Sequence, residues 1–290
     1  MKKNFLFLIT SIILVTFMVG CGKENVKSEA QNKSDKLKVL VSFHAMEELV
    51  ELIGDDKVDV EVVIPEGTEA HDFEPTTKDI KELSKSKLFV YNGLGMEHWV
   101  ENFLKNSKVE VVEASTNVNT IKNDGVTDPH TWLGLKDAIV ELENIKNALI
   151  KIDSKNSDYY EKNYENAKQE LESVYDEYKT KFDSIENKKF VTGHKAFGYL
   201  CREFGLDQVA IQGVFAEGEP SPAKLAELVT YCKDNNIKTV FAEEMGSTKV
   251  AETLAREAGA KVETIETFEG EGDYIDGMRE NLEKIYKALK

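Results

Sequence analysis

Asp158 to Ile185 is the stretch that most limits the architectures open to this chain. Its apolar residues are Tyr160, Tyr164, Ala167, Leu171, Val174, Tyr178, Phe182 and Ile185, each three or four positions from the last. That spacing keeps them on one face of an α-helix, and no Pro or Gly interrupts the run. Ser157 can serve as N-cap, Asp158 and Glu161 sit in the first turn, and Lys179 and Lys181 lie near the end, as the helix dipole favours. Nearly thirty residues at ~1.5 Å each predict a rod on the order of 45 Å long. A coiled-coil arm would show the same periodicity. The flanking sequence favours a rigid spine between two half-chains.

Strands and helices alternate on both sides of the rod. Before it, apolar β runs at 38–43, 58–64, 88–91 and 109–113 are separated by helical patterns at 46–53, 77–84 and 97–105. After it, strands at 189–192, 208–215, 238–242 and 261–265 alternate with helices at 196–204, 222–235 and 248–258, and a last helix follows Gly270-Glu-Gly-Asp273-Tyr274. Alternation at this spacing predicts an α/β chain of two lobes, each a four-stranded parallel sheet with flanking helices, joined by one long backbone α-helix. The organisation expected is a leader over 1–20, a tether over 21–36, a first lobe over 37–135, connecting helices over 136–186 and a second lobe over 187–290. The halves share no residue-level repeat.

The leader has a basic head, Lys2 and Lys3, and a nearly unbroken apolar run from Phe5 to Val19, short for a membrane span. With Met18-Val19-Gly20-Cys21 it resembles the bacterial lipoprotein signal, which implies cleavage before Cys21 and lipidation of its thiol; a plain secretory signal is the alternative. Residues 24–37 are polar and read as a flexible tether. The expected location is outside the cytoplasm, held to the cell membrane by the lipid. Removing Lys2 and Lys3 takes the formal charge from −16 to −18, an acidic balance that argues against nucleic acid as a partner. Cys201 and Cys232 lie in amphipathic helical patterns, where buried free thiols are at least as expected as a disulfide.

In open α/β sheets ligands bind beyond the carboxyl ends of the strands. Four possible metal ligands lie in such loops: His71 in Pro65–Pro75, His130 in Asp128-Pro-His-Thr-Trp132, His194 after the strand at 189–192, and Asp273 after the last strand. Asp273 also suits a helix cap. Should the lobes face one another, three imidazoles and a carboxylate fit four-coordinate Zn²⁺, whereas a Mn²⁺ site carries more oxygen. Binding needs neutral imidazole, so affinity should fall as pH drops through ~6.5.

The chain resembles the zinc/manganese class of substrate-binding lipoproteins of ABC importers across its whole mature length. The resemblance is carried by His71-Asp-Phe-Glu-Pro75, Asp128-Pro-His130-Thr-Trp132-Leu, Thr192-Gly-His194-Lys-Ala-Phe-Gly-Tyr199-Leu and Gly272-Asp273-Tyr274. It implies two α/β lobes on one long helix and a single ion in the cleft, held by His71, His130, His194 and Asp273, with Glu271 as the other choice for the carboxylate. His at 194 resembles the zinc-type members. The function implied is capture of Zn²⁺ by a monomer and delivery to an ABC permease, with no enzymatic activity; some relatives are also surface adhesins. A manganese or iron carrier of the same class is one alternative. A zinc hydrolase with an open coordination position is another, though no general-base motif such as HExxH is present. A haem or siderophore binder would need a wide cleft lined by Arg or aromatic groups, and only Arg202, Arg256 and Arg279 occur. Many zinc-type relatives carry a His-rich acidic loop before the second ligand; here Ala114–Thr127 is short and has no His. His44 stands where relatives carry an aromatic residue, His98 reads as a helix-surface residue, and Glu243 and Glu244, after another strand end, read first as a solvated pair, with a place lining the cleft or reaching the importer as the alternative.

Overall fold

A computed structural model describes residues 36–123, 125–244, 248–270 and 272–290. The leader, Cys21 and the tether up to residue 35 lie outside the described residues, as does Glu271. Among the described residues, no helix is long and apolar enough to cross a membrane.

The first sheet contains β1 (Leu37–Val41), β2 (Val58–Val62), β3 (Leu88–Tyr91) and β4 (Glu110–Glu113), all parallel, in the order β2-β1-β3-β4. Its crossovers are α1 (His44–Gly54), α2 (Thr77–Leu83) and α3 (Val100–Leu104). Thr76 and Asp79 close a capping box at the start of α2, with Asp79 accepting from the Thr76 N–H at 2.7 Å. A small antiparallel hairpin, β5 (Lys122–Asn123) with β6 (Val126–Thr127), follows before the loop of His130. Two-residue strands leave no periodicity, so the sequence pattern missed them.

Two helices then carry the chain across. They are α4 (Leu135–Ile152) and the rod α5 (Ser157–Asp183). Asn156, not Ser157, is the N-cap of α5, because a 3₁₀ turn over Ser154–Asn156 feeds directly into it. The predicted face is the buried one: Tyr160, Tyr164, Ala167, Leu171, Val174, Tyr178 and Phe182 all point inward. They pack on α1 and α4 and, further along, on helices of the second half.

That half repeats the plan with β7 (Lys189–Thr192), α6 (Gly198–Phe204), β8 (Asp207–Ala210), α7 (Pro222–Asp234), β9 (Thr239–Glu243), α8 (Lys249–Ala258), β10 (Lys261–Ile265) and α9 (Tyr274–Leu289). The order β10-β9-β7-β8 again sets the second strand beside the first and the first beside the third. Ser221 caps α7 by accepting from the Lys224 N–H at 3.2 Å, with Pro222 at the first helical position. β8 ends at Ala210, earlier than its apolar run suggests, because Gln212 draws the next residues into a loop by donating to the carbonyls of Ala216 and Gly218, each at 2.6 Å.

One hydrophobic core runs from β1 and β3 through α1, α4 and α5 to Phe190, Phe241, Phe268, Met278 and Ile285 of the second half. A smaller core lies under α7 and α8. The halves are therefore joined by packed side chains as well as by the rod. Cys201 and Cys232 are free thiols.

Candidate metal centre

With strand order second-first-third-fourth, chain direction switches between the first and third strands, β1/β3 in one sheet and β7/β9 in the other. Crevices at such switch points accept ligands. His194 follows β7 and Glu243 ends β9, so both sit at the second switch point. At the first switch point Asn92 follows β3. It is fully buried, donates from Nδ2 to the Pro129 carbonyl at 2.8 Å and accepts from the Thr131 hydroxyl at 3.0 Å. Those bonds bracket His130. Asn92 is itself set by Glu97, which accepts the Asn92 and Gly93 amides, each at 2.9 Å.

His71 enters from a 3₁₀ turn over Ala70–Asp72 beyond β2. Its Nε2 lies 3.3 Å from Nε2 of His130, which lies 3.2 Å from Nε2 of His194. Two nitrogens bound to one tetrahedral Zn²⁺ at 2.0–2.1 Å sit roughly 3.3–3.4 Å apart, so these spacings match edges of such a tetrahedron. Glu269 supplies an oxygen to the same cluster, and the four ligand atoms all lie within 4.8 Å of one another. All four side chains are buried, and Oε1 of Glu269 has no hydrogen-bond partner. A buried polar atom without a partner is costly unless something else satisfies it.

The far side of two rings is fixed by carboxylates. Asp128 Oδ1 lies 2.8 Å from Nδ1 of His130 and accepts its amide at 3.0 Å. Glu243 Oε1 lies 3.5 Å from Nδ1 of His194 and accepts its amide at 3.0 Å. Holding the proton on Nδ1 leaves the Nε2 lone pair for the cluster. Gly193 must lack a side chain here, since a Cβ would lie 2.0 Å from Glu243 Oε2. Trp132 packs against the His130 ring and Phe215 stands edge-on over His71, shielding both from water.

The ligand pairs differ in electrostatics. Burial drives His71 down to about 2, helped by the neighbouring imidazoles. Burial also lowers His130 against the pull of Asp128. At His194 burial opposes the charge, but Glu243, with Glu269 and Glu69 beyond, carries the ring up to about 9. Burial raises Glu269 to about 8, against the attraction of His194. A cavity of about 310 Å³ adjoins these last two and is lined also by Glu69, Asp72, Glu219 and Lys249.

The structure thus brings three of the four residues named from sequence together, His71, His130 and His194. It does not bring Asp273. That carboxylate is the N-cap of α9, accepting the Asp276 amide at 2.8 Å, and the helix end already occupies it. The fourth member is Glu269, which sequence reasoning missed. A helix opening at Tyr274 needs Asp273 as its cap, a signal that could have turned attention to the other carboxylates after β10, Glu266, Glu269 and Glu271; among the described residues Glu269 is the one that joins the cluster. Glu243 and Glu244 are not a solvated pair: one holds His194, and the other accepts the amides of Thr267 and Phe268. His44 lies outside the cluster, 2.8 Å from the Gly272 carbonyl and 3.1 Å from Glu47. His98 is exposed beside Glu74.

Residues 39–288 match the sequence profile of the family described as zinc-uptake complex component A, periplasmic. The high-affinity zinc uptake system protein ZnuA of Bacillus subtilis is 39% identical over 314 residues, covering 99% of this chain and 98% of its own. The laminin-binding protein Lmb of Streptococcus agalactiae, described as an adhesin with metal-transporting activity, superposes with a TM-score of 0.84 at 36% identity, over 88% of this chain and 100% of its own. The Zn(II)-bound ZnuA-like domain of Streptococcus pneumoniae AdcA does so with a TM-score of 0.78 at 33% identity, over 88% and 99%. With the family profile spanning both sheets and the rod, the chain belongs to the periplasmic zinc-uptake component A family, whose members are solute-binding components and not enzymes.

Proposed function

We propose that this protein captures one Zn²⁺ ion between its two halves, on Nε2 of His71, His130 and His194 and a carboxylate oxygen of Glu269, and hands it to the membrane permease of an ABC importer. The observation that carries the reading is the pair of 3.2–3.3 Å nitrogen spacings beside a buried, unpartnered carboxylate oxygen. Three nitrogens and one oxygen favour Zn²⁺ over Mn²⁺. Four protein donors fill a tetrahedron and leave no position for the water a zinc hydrolase activates.

Asp128 and Glu243 keep their histidines in the metal-binding tautomer. Asn92 and the 3₁₀ turn at Ala70–Asp72 aim the first-half ligands. The continuous core under α1, α4, α5 and α9 resists wide hinge opening, so release proceeds through the ligand loops, driven by docking to the permease. The mature chain works as a monomer outside the cytoplasm, tethered to the membrane by lipid on Cys21.

The test is titration of metal-stripped protein with Zn²⁺ against a chelator of known affinity. One equivalent should bind tightly, and His130→Ala and His194→Ala should each weaken binding by more than about 100-fold, beyond the loss typical of an outer-shell change. Wild-type binding in both variants would remove the site.

A further inference from the structure

We propose that Glu244 is the positioning residue that presents the Glu269 carboxylate to the metal, by holding the main chain ahead of it in a left-handed turn. The inference rests on the four-ligand zinc reading of the cleft. Phe268, the residue before Glu269, has φ of +60°, a conformation rare for a residue with a bulky side chain. Such a turn persists only where its surroundings over-determine it, and these do. Both oxygens of Glu244 accept the Thr267 amide at 2.9 Å; Oε1 also accepts the Thr267 hydroxyl at 3.0 Å and the Phe268 amide at 3.1 Å. Trp132, two residues after His130, donates its indole N–H to the Thr267 carbonyl at 2.7 Å. Asn281 of α9 takes both backbone groups of Glu266, at 3.0 and 2.7 Å.

The Phe268 ring is fully buried, edge-on to Tyr274 at 5.3 Å. It lies over Gly277, where a Cβ would come within 2.5 Å of it. The main chain ahead of Glu269 is thus pinned amide by amide, while the Oε1 of Glu269 keeps no partner. Side chains alternate across a strand end, so Glu243 reaches the loop after β7 while Glu244 reaches the loop after β10. Glu243, the last residue of β9, and Glu244, the residue after it, thus hold the second half's two ligands from the strand that lies between β7 and β10.

The experiment is Zn²⁺ affinity together with the visible spectrum of the Co²⁺-loaded protein, in wild type, Glu244→Gln, Glu269→Gln and the double variant. Glu244→Gln should weaken zinc binding about 10- to 100-fold and dim the intense four-coordinate Co²⁺ bands as water replaces the carboxylate. In the Glu269→Gln background the same change should add less than about threefold, because it acts through Glu269. Gly277→Ala reaches the same carboxylate by crowding the Phe268 ring and should move both readouts the same way; it decides the matter should Glu244→Gln fail to fold. A folded Glu244→Gln with wild-type affinity and Co²⁺ spectrum overturns the proposal, even if its melting temperature falls. If His130→Ala and His194→Ala also keep zinc, the cleft reading itself has failed; if they lose it, only the role of Glu244 has.

Discussion

The two halves share a strand order yet bring ligands of opposite character to one point. His71 and His130, from the first, are held neutral by burial, and Asn92 clamps the loop that carries His130. His194 and Glu269, from the second, line an acidic cavity and carry protons at neutral pH, with the ring up to about 9 and the carboxyl to about 8. A common topology fixes where ligands can stand. The carboxylates around each one decide whether it meets the ion ready or must first lose a proton.

The largest effect that follows is on affinity. Zn²⁺ competes with protons only in the second half, so binding at neutral pH should release between one and two of them. Affinity should rise tenfold to a hundredfold per pH unit near pH 7 and level off above about 9. The sequence alone suggests a fall through ~6.5, the ordinary imidazole value; Glu243, Glu269 and Glu69 move that limit upward. Calorimetry in buffers of different ionisation enthalpy counts the protons. A pH-independent affinity between 7 and 9 would erase the difference between the halves.

Removing the outer carboxylate from each half is a finer comparison. Asp128→Asn should cost the full ~10- to 100-fold in zinc affinity at pH 7, since His130 is already neutral and only loses its orientation. Glu243→Gln should cost less at pH 7, because it also lowers the proton affinity of His194 and so weakens the competitor. Its pH profile should flatten between 7 and 9, and that of Asp128→Asn should not. Equal losses with parallel profiles would show both carboxylates acting by orientation alone.

The metal-free protein should feel the same asymmetry in stability. His71, depressed to about 2, binds no proton when folded but does when unfolded below about 6.5, so its contribution is full above 6.5 and lost as pH falls towards 2. His194, raised to about 9, stabilises below 6.5 and loses that contribution as pH rises through 9. Glu269 is held neutral to about 8, so its folded form binds the extra proton and stability falls from about 4.5 to 8. Between pH 6.5 and 9 the second-half terms dominate, on the order of 1–3 kcal/mol. The gap in melting temperature between zinc-loaded and metal-free protein should therefore widen across that window, which scanning calorimetry would show.

How much of this was legible in sequence varies with the kind of signal. The rod was plain because eight apolar residues at helical spacing allow few other structures, and the parallel sheets followed from alternation. The three histidines were legible because each lies in a loop that follows a strand, and because the motifs around them resemble one family in the same order. The carboxylate was not, because Glu269, Glu271 and Asp273 crowd one loop; the cap geometry of α9 accounts for Asp273, and it takes the fold to bring Glu269 to the three imidazoles. Glu243 and Glu244 were misread for a related reason. A pair of charged residues after a strand is ordinarily solvated, and only the return of two loops, 49 residues before and 23 after, gives each a buried partner.

Asp273 supplies the smallest effect and the sharpest control on that loop. Its carboxylate accepts the Asp276 amide at the start of α9 and stands apart from the four converging atoms. Asp273→Ala should therefore behave as the loss of a helix cap, costing about 1 kcal/mol of metal-free stability while zinc affinity stays within about twofold. Glu269→Gln should do the reverse. It removes the charge of a ligand whose oxygen has no protein partner, so affinity falls, while metal-free stability holds or rises above pH 8, where the buried carboxyl would otherwise ionise. If the two variants exchanged these phenotypes, the carboxylate on the ion would be the one at the helix end, and the left-handed turn at Phe268 would lose its purpose.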